Sequence, residues 1–441
     1  MYNEGDYQDA IVLGRKRLNH SHDGEMAKSI IVRSLYNLGK YQEVETFSKK
    51  YYSEVTRIYL DKAQRKLQSR HTKTTESKKP SFNHIEWNAQ HILSNWYQEG
   101  NILWLRHPNG WTYWMMPDGF LLEEIHESVL YLSLEILLGP WVPETKNWSV
   151  KQRKKGTKLA LAYSGGVDST AAALLLPAET ILSYHQRDFD SMLSHDLPKM
   201  VFQAWNELND REVLVIPSNH EKIRTYYDLP NGFSTAHAAG VHLILLSCHL
   251  DLGGIAFGTP IDNTWLKSGR KYRDFRTSQY WVKWKKKFEI AGLEYVLPIN
   301  HISEAGAIKI CMQSNLANKI NSCLRGKDGE ACRNCWKCFH KNGPMGREFN
   351  PNSKEITTFL NTTPLRTAQH ALWALKTQGL EKLAPHLTPH IAEDLAWWEQ
   401  AYPKGLEIIE QPLRGYVKEK TEEKLDWMSK PFKLESVDLK V

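Results

Sequence analysis

A predicted strand, a glycine loop and a predicted helix follow one another over residues 158–176, and this run constrains the fold most strongly. The letters KLALA are typical of a buried strand, SGG of a turn and VDSTAAALLL of a helix. Short apolar runs then alternate with helical patterns as far as GIAFGT at 254–259. This alternation predicts an α/β fold with a doubly wound parallel sheet, in which ligands bind beyond the carboxyl ends of the strands.

The glycine loop is suited to binding phosphate. Gly165 and Gly166 permit positive φ and let the backbone approach a ligand closely. The amino end of the next helix supplies N–H groups and partial positive charge, which favour an anion. Asp168 can cap that helix or help to hold Mg²⁺, and neighbouring hydroxyl groups can donate hydrogen bonds. The predicted phosphate-binding residues are Ser164, Gly165, Gly166, Val167, Asp168, Ser169 and Thr170.

The loop differs from two familiar nucleotide-binding patterns. It contains neither GxxxxGK[ST] nor GxGxxG, and it has no lysine of its own. A serine-bearing loop without a lysine is suited to holding pyrophosphate as a leaving group. A glycine turn that precedes a helix and binds nothing is the alternative interpretation.

Four of the six cysteines lie close together, at Cys323, Cys332, Cys335 and Cys338. Their C-x8-C-x2-C-x2-C spacing suits tetrahedral zinc, and four thiolates leave no open position, so the predicted site is structural. Such crowding in a cytosolic chain favours a metal over a disulfide, with a redox pair or an iron–sulfur cluster as alternatives. The other two, Cys248 and Cys311, lie in apolar sequence and are predicted to be buried and unreactive.

SGGVDST resembles the signature of the N-type ATP pyrophosphatases, the PP-loop family. Members of that family cleave ATP between the α and β phosphates, transfer AMP to a carbonyl or carboxylate oxygen, and let a nucleophile displace AMP. With the cysteine spacing, the chain resembles the 7-cyano-7-deazaguanine synthases over 158–342, and SYHQRDFDS at 183–191 and PINHISEAGAIKI at 298–310 are similar to that family as well. The resemblance implies an adenine nucleotide α-hydrolase-like (HUP-like) fold, ATP, Mg²⁺ and Zn²⁺.

The resemblance also implies roles for residues around the nucleotide. Adenine is expected near Tyr184, His185 and Gln186, with Gly258 and Thr259 on the other side. His185 is either a base or a residue that packs beside adenine. Basic residues of the loop after Thr259 are expected to stabilise charge on the phosphates, and the candidates are Lys267, Arg270 and Lys271. The predicted catalytic residues are Ser164, Asp168, Ser169, Lys267 and Arg270.

The chain departs from the family after Thr259. There the family carries a stretch like Asp-Tyr-x-Gly-Tyr-Pro-Asp-Cys that contacts a deazapurine acid, whereas this chain has PIDNTWLKSGRKYRDF at 260–275. By resemblance the substrate is 7-carboxy-7-deazaguanine, whose adenylate would react with ammonia or another amine. An amide, a nitrile and a deazapurine joined to a protein amine are all compatible products. The candidate substrate-binding residues are Asp262, Tyr272, Arg273 and Asp274.

The N-terminal region is predicted to be a helical arm over 1–60. GDYQDA at 5–10 and GKYQEV at 39–44 are 34 residues apart, which is the period of tetratricopeptide repeats. Such an arm could dock a protein partner or merely cover the body of the protein. Polar residues 61–83 are then predicted to be the tail of a helix that frays into a flexible linker.

Three further regions complete the predicted organisation. Residues 84–150 are expected to be a small α+β unit with a hairpin that turns at Asn109-Gly110. Residues 151–345 are the expected catalytic domain with the zinc site, and 346–441 a helical extension.

Charge and hydropathy limit the partners of the chain. A formal net charge of +7 over 441 residues fits a nucleotide-binding protein and does not demand a nucleic acid. WVKWKKKFE at 281–289 interleaves lysines with aromatic residues, which keeps a tRNA-modifying, thiolating relative open as an alternative. A non-catalytic assembly protein that senses ATP is a further alternative to the ligase function. No apolar run approaches ~18 residues and no leader pattern is evident, so we expect a cytoplasmic protein without a membrane partner.

Overall fold

The computed structural model describes residues 7–18, 23–71, 78–189, 191, 194–323 and 325–441. The chain divides into two compact units, Met1–Glu76 and Ser77–Val441. Among the residues so described, no helix combines the length and the apolar character that a membrane crossing requires.

Over its described residues, the first unit contains four helices: α1 (Tyr7–Arg17), α2 (Gly24–Asn37), α3 (Tyr41–Lys50) and α4 (Glu54–His71). Helix α1 packs on α2, and α3 packs on α4, around buried Ile31 and Val44. Gly39 ends the turn after α2 at φ +70°, a conformation that favours glycine. Because α4 continues to His71, residues 61–71 of the predicted linker are helical. Residues 72–77 of that linker, and Gly5 of the predicted repeat, lie outside the described residues.

The second unit is built on one eight-stranded sheet in the order β1-β2-β3-β6-β5-β4-β7-β10. The strands are β1 (Trp96–Glu99), β2 (Ile102–His107), β3 (Gly110–Met115), β4 (Lys158–Ala162), β5 (Ile181–Arg187), β6 (Val213–Ser218), β7 (Leu252–Phe257) and β10 (Glu294–Val296). A separate hairpin pairs β8 (Leu266–Lys267) with β9 (Lys271–Tyr272). The sheet is mostly parallel, as the alternating pattern predicts.

The five parallel strands are β4, β5, β6, β7 and β10. Numbered along the chain, they lie in the order third, second, first, fourth, fifth, which is the order of a doubly wound sheet. The chain moves outward from β4 to β5 and β6, then returns to the other side of β4 as β7. Ligands of such sheets bind where this order reverses, beyond the carboxyl ends of β4 and β7.

Residues 84–150 do not form a sheet of their own, in contrast to the unit expected there. Strand β3 joins β6 through the antiparallel pair Trp114 and Ser218. Asn219 Oδ1 accepts hydrogen bonds from Thr112 Oγ1 at 2.8 Å and from the Tyr113 N–H at 2.9 Å. The hairpin loop is residues 108–109, one residue earlier than predicted, because His107 pairs with Gly110.

The helices of the second unit are α5 (Glu127–Leu138), α6 (Val167–Leu175), α7 (Asp196–Asn209), α8 (Val241–Leu245), α9 (Gln279–Ile290), α10 (Glu304–Met312), α11 (Lys354–Leu360), α12 (Ala368–Thr377) and α13 (Leu413–Glu422). Helix α6 packs against α10 and α13, whereas α5 packs against α8 and α9. Crossovers between parallel strands are almost always right-handed, so helices of connections that leave β4 in opposite directions are expected on opposite faces of the sheet.

The C-terminal region is only partly helical, although a helical extension is predicted. Short 3₁₀ turns at Glu381–Leu383, Pro385–His390, Ala396–Glu399, Pro403–Ile408 and Lys433–Ser436 lie between or after its helices. The Leu439 N–H donates to the Arg270 carbonyl oxygen at 2.8 Å, so the chain end is bound to the β8–β9 hairpin. Trp398 and Tyr402 are fully buried in the same core as the parallel strands.

Candidate functional site

The glycine loop, residues 163–170, connects β4 to α6 and includes the first turn of that helix. Gly165 has φ +72°, and a Cβ atom on it would lie 3.1 Å from Pro198 Cα of α7. Ser164 donates its N–H to Ser169 Oγ at 3.2 Å, and the two hydroxyl oxygens are 3.0 Å apart. The Ser169 hydroxyl donates to the Gly166 carbonyl oxygen at 3.1 Å. The loop is therefore a tight turn that brings two hydroxyl groups together at the amino end of a helix.

The end of β7 passes directly beside this helix end. A Cβ atom on Gly258 would lie 2.9 Å from both the Asp168 carbonyl oxygen and Ser169 Cα. Since both neighbours are backbone atoms, only glycine permits this approach. The loop and the strand end therefore meet at the reversal of strand order, as the sequence predicts for a binding site.

A cavity of about 530 Å³ opens at this place. Asp168 and Arg273 are its charged lining residues, and Phe257, Tyr280 and Tyr295 contribute aromatic rings. Of residues 163–170, Asp168 is the one in the lining. The complete lining is Asp168, Ala236, His237, Phe257, Gly258, Thr259, Pro260, Asn263, Thr264, Arg273, Phe275, Tyr280, Tyr295 and Leu297. A cavity with flat apolar walls and a few charged groups suits a planar polar molecule.

His237 lies in the aromatic wall and was not among the predicted site residues. Its Nε2 is 3.2 Å from the Tyr280 hydroxyl, and the two rings stack with centroids 5.4 Å apart. Burial lowers the pKa of His237 to about 3, so the ring is neutral at ordinary pH. A lone histidine in an apolar stretch carries no pattern from which this position could have been predicted.

Of the four candidate substrate residues, Arg273 lines the cavity. Its Nε–H donates to the Thr264 carbonyl oxygen at 2.7 Å, which fixes the guanidinium at the rim. The neighbours on either side point elsewhere, since Tyr272 bonds Tyr402 at 3.1 Å and Asp274 binds Arg276. Alternation of side chains along an extended segment explains why only the middle residue reaches the cavity.

Asp262 is buried beneath the cavity rather than exposed in its wall. Its Oδ2 accepts the Glu304 N–H at 3.0 Å. Burial, and then the charge of Glu304, raise the pKa of Asp262 well above the usual value. Asp262 therefore shapes the first turn of α10, a role different from the contact with substrate expected of it.

Lys267 and Arg270, predicted to stabilise phosphate charge, lie on the β8–β9 hairpin outside the cavity lining. Lys267 is exposed. Arg270 is held near the chain end, where its carbonyl oxygen accepts the Leu439 N–H. Lys271 pairs with Asp438 at 3.2 Å. The C-terminal region occupies this side of the hairpin, which the sequence did not reveal.

The predicted adenine contacts Tyr184 and His185 also lie outside that lining. His185 Nε2 is 3.1 Å from Glu221 Oε1, and burial lowers the pKa of His185 well below its usual value. The Tyr184 hydroxyl contacts His195, and burial raises the pKa of Tyr184. The half-buried Gln186 follows them on β5. The Tyr184 and His185 side chains thus have partners within the protein, whereas Gly258 and Thr259 line the cavity.

A buried lysine supplies the cation that the loop lacks. Lys341 Nζ contacts Asp168 Oδ2 and lies 3.4 Å from Glu304 Oε2. Burial alone would lower the pKa of Lys341, but the two carboxylates outweigh it and raise the pKa above its usual value. Sequence reasoning missed Lys341, although it follows Cys338 by three positions and so belongs to the cysteine motif.

The four cysteines converge on one point, and their sulfur atoms all lie within 4.8 Å of one another. Cys335 Sγ is 3.5 Å from Cys338 Sγ and 3.9 Å from Cys323 Sγ, and Cys332 Sγ is 3.9 Å from Cys338 Sγ. Tetrahedral zinc with bonds of ~2.3 Å places its sulfurs about 3.8 Å apart. The cluster can therefore hold a metal ion such as zinc.

The segment that carries these cysteines, residues 322–342, braces the glycine loop. Ser322 Oγ accepts the Val167 N–H at 3.2 Å, and Asn342 Oδ1 accepts the Ser322 N–H at 3.4 Å. Asn342 Nδ2 also donates to Cys338 Sγ at 3.7 Å. We call residues 322–342 the cysteine segment. Ser322 at its first position and Lys341 next to its last position both contact the start of α6.

The remaining cysteines lie in apolar surroundings. Cys311 is fully buried with Sγ 3.4 Å from the Val167 carbonyl oxygen, and burial raises its pKa above the usual value. Cys248 is partly buried, and its sulfur accepts the His126 N–H at 3.4 Å.

The aromatic and basic pattern at 281–289 forms α9. Trp281, Trp284 and Phe288 are buried in the core. Lys283 and Lys287 pair with Glu135 at 2.7 and 3.1 Å. The rings that motivated a nucleic-acid interpretation are thus covered by protein and not available for stacking on bases.

Comparison with known proteins adds one match. The model of a family described as a family of unknown function (DUF6395) matches residues 283–433, about a third of the chain. This stretch contains the cysteine segment, Glu304 and α12, and it begins after the glycine loop. Searches of curated proteins and of solved structures each found no match.

Proposed function

We propose that this protein is an ATP-dependent, AMP-forming ligase that activates a carboxylate and passes the acyl group to an amine. One observation carries the proposal: Asp168, in the first turn of the helix that follows the glycine loop, and Arg273 line the same cavity. A helix start suited to an anion and a cation that can hold a carboxylate then lie at a common space. The resemblance to the N-type ATP pyrophosphatases, with their HUP-like fold, supports the same reaction.

In this proposal the loop binds the phosphates of ATP. Ser164 and Ser169 exchange their mutual hydrogen bond for bonds to phosphate oxygens, and the helix end adds its N–H groups and partial charge. Gly165 and Gly166 permit the approach of the backbone, with Val167 and Thr170 continuing the helix. Asp168 faces the cavity and is the residue suited to hold Mg²⁺ beside the phosphates.

Lys341 takes the electrostatic role first assigned to Lys267 and Arg270. Its ammonium group is paired with Asp168, so Mg²⁺ at Asp168 would release the lysine toward the phosphates. Positive charge there stabilises the pyrophosphate as it leaves. The metal of the cysteine cluster has four protein ligands and no open position, so its role is to hold Ser322 and Lys341 in place.

Arg273 is the proposed anchor for the acid. A guanidinium held by backbone carbonyls can bind a carboxylate through two hydrogen bonds, and the rings of Tyr280 and Phe275 offer a flat surface beside it. By resemblance the acid is 7-carboxy-7-deazaguanine and the nucleophile ammonia or another amine, with an amide, a nitrile or a protein conjugate as product. These identities belong to the proposal.

The test is incubation of the full chain with ATP, Mg²⁺ and 7-carboxy-7-deazaguanine, with and without ammonia, followed by assay of AMP and pyrophosphate and mass spectrometry of the product. We expect AMP and pyrophosphate to form together. Ser164→Ala and Lys341→Met should each lower turnover at least ~100-fold, by analogy with loss of one charge-stabilising donor. Lys354→Met, at an exposed lysine of α11, is the control and should retain full activity.

Two results would overturn parts of the proposal. AMP formation with other acids and not with this one would reject the substrate while leaving the reaction class. Absence of AMP with any carboxylate, with ATP still bound, would favour the non-catalytic ATP sensor instead.

A further inference from the structure

Three buried side chains from distant parts of the chain meet beneath the glycine loop. Glu304 lies at the start of α10, His340 in the π-helical turn Cys338–Asn342, and His370 in α12. One ligand atom from each lies within 4.8 Å of the others. Both histidines are fully buried and Glu304 is 5 % exposed. None of these residues has a role in the reaction proposed above.

The hydrogen bonds around His340 engage one of its two ring nitrogens. His340 Nε2 lies 3.1 Å from the Thr367 hydroxyl oxygen, and that oxygen also lies 2.8 Å from the Arg366 carbonyl oxygen. When Nε2 carries the proton of this contact, Nδ1 has a lone pair that an ion can bind.

That lone pair faces a carboxylate. His340 Nδ1 is 3.1 Å from Glu304 Oε2, yet among the described residues neither atom has a hydrogen-bond partner. A proton on Nδ1 would thus not point at the oxygen. Two electron-rich atoms at this distance, shielded from water, repel unless a cation lies beside both.

His370 completes the set. Its Nε2–H donates to the His340 carbonyl oxygen at 2.8 Å, so the buried Nδ1, which has no hydrogen-bond partner among the described residues, is the atom free to bind an ion. Four-coordinate zinc with bonds of ~2.1 Å holds its ligand atoms about 3.4 Å apart. The 3.1 Å between His340 Nδ1 and Glu304 Oε2 is close to that value. The hydrogen bond between His340 Nε2 and Thr367 is of the kind that orients a metal-bound imidazole.

The surrounding charges also favour a cation. Glu304 and Asp168 share one ammonium group, that of Lys341. Lys341 is 3.4 Å from Glu304 but in direct contact with Asp168. A divalent ion at Glu304 would compensate this excess of negative charge and leave Lys341 to the glycine loop.

We propose that Glu304, His340 and His370 form a second metal centre, separate from the four cysteines, which binds a transition-metal ion of the Zn²⁺ class. Two imidazoles and one carboxylate are a donor set of such ions, and three protein ligands leave a further position open. The ion would join α10, the cysteine segment and α12. The proposal does not depend on the ligase function.

The experiment measures metal content and ligand type on the full-length protein. Elemental analysis should find two transition-metal equivalents per chain. X-ray absorption at the metal edge should show nitrogen or oxygen scatterers at ~2.0–2.1 Å together with sulfur at ~2.3 Å. His370→Ala should halve the metal content and leave a sulfur-only spectrum. His301→Ala, at another fully buried histidine, is the matched control and should keep both metals.

One metal per chain with sulfur ligands alone would overturn the proposal. Equal metal loss in the His370 and His301 variants would also overturn it. If the His370 variant does not fold, the spectrum of the unaltered protein decides, since only the proposed centre supplies nitrogen and oxygen ligands.

Discussion

The glycine loop and the cysteine segment meet at the start of α6, but they are stabilised in different ways. The loop is a short turn between a strand and a helix, shaped by the positive φ of Gly165 and by the hydroxyls of Ser164 and Ser169. The described residues of the cysteine segment have little regular structure before the π-helical turn, and its four sulfurs converge on one point where a metal ion could order it.

The difference explains how an irregular segment can support a site of defined geometry. Ordering a residue costs about 1–2 kcal/mol of conformational entropy, and a metal ion offsets this cost for many residues at once. Ser322 and Lys341 contact the loop from the two ends of this ordered segment. Chemistry proposed for the loop would therefore depend on a cluster that lies outside the cavity lining.

The largest expected effect comes from breaking the cysteine cluster. Cys335→Ser should release the sulfur-bound metal and lower the free energy of unfolding by more than about 4 kcal/mol, the range typical of losing a metal site. Metal analysis measures the bound metal, and urea unfolding measures the free energy of unfolding. Cys248→Ser, outside the cluster, should cost less than about 1 kcal/mol. A similar, small loss of unfolding free energy in both variants would show that the cysteine segment is ordered without a metal.

A smaller effect is expected from the loop itself. Gly165 and Gly346 have nearly the same φ, +72° and +76°, but Gly346 has open space where a Cβ atom would lie. Gly346→Ala should cost about 1 kcal/mol for the backbone conformation alone. Gly165→Ala should cost about 2–3 kcal/mol, because its Cβ would also crowd Pro198. Equal losses in chemical denaturation would mean that α7 does not confine the loop.

The smallest expected effect concerns the cavity wall. Burial lowers the pKa of His237 to about 3, whereas an unfolded histidine titrates near 6.5. Between these values the unfolded chain binds a proton that the folded chain does not, so stability falls as pH is lowered, by up to about 1.4 kcal/mol per pH unit. His237→Gln should reduce this slope between about pH 6 and pH 5, measured by urea unfolding.

The control for this comparison is His390→Gln, at an exposed histidine, which should leave the slope unchanged. An unaltered slope in the His237 variant would contradict a neutral, buried ring in the cavity wall.

Local patterns predicted the elements that depend on near neighbours. The apolar run at 158–162, the glycines after it and the helical pattern from Val167 give the strand, loop and helix found there, because hydrophobic periodicity acts over a few residues. The alternating elements predicted the mostly parallel sheet. The cysteine spacing predicted a cluster able to hold a metal, since closely spaced ligands converge with little chain to order.

Site residues inferred by resemblance fared differently, because hydrophobicity does not specify which segment covers the end of a strand. The C-terminal region packs against the hairpin that carries Lys267 and Arg270. The His185 side chain contacts Glu221, and the Tyr184 hydroxyl contacts His195. The cavity opens beside Gly258 instead.

The sequence by itself thus determined the strand, loop and helix, the sheet type and the cysteine cluster. Only the tertiary structure decided which charged side chains meet beside the glycine loop. Asp168 and Lys341 are separated by 173 positions yet touch, and Glu304, His340 and His370 come from three elements. Side chains so distant are brought together by the order of strands and the packing of helices, and no local pattern of residue types records that arrangement.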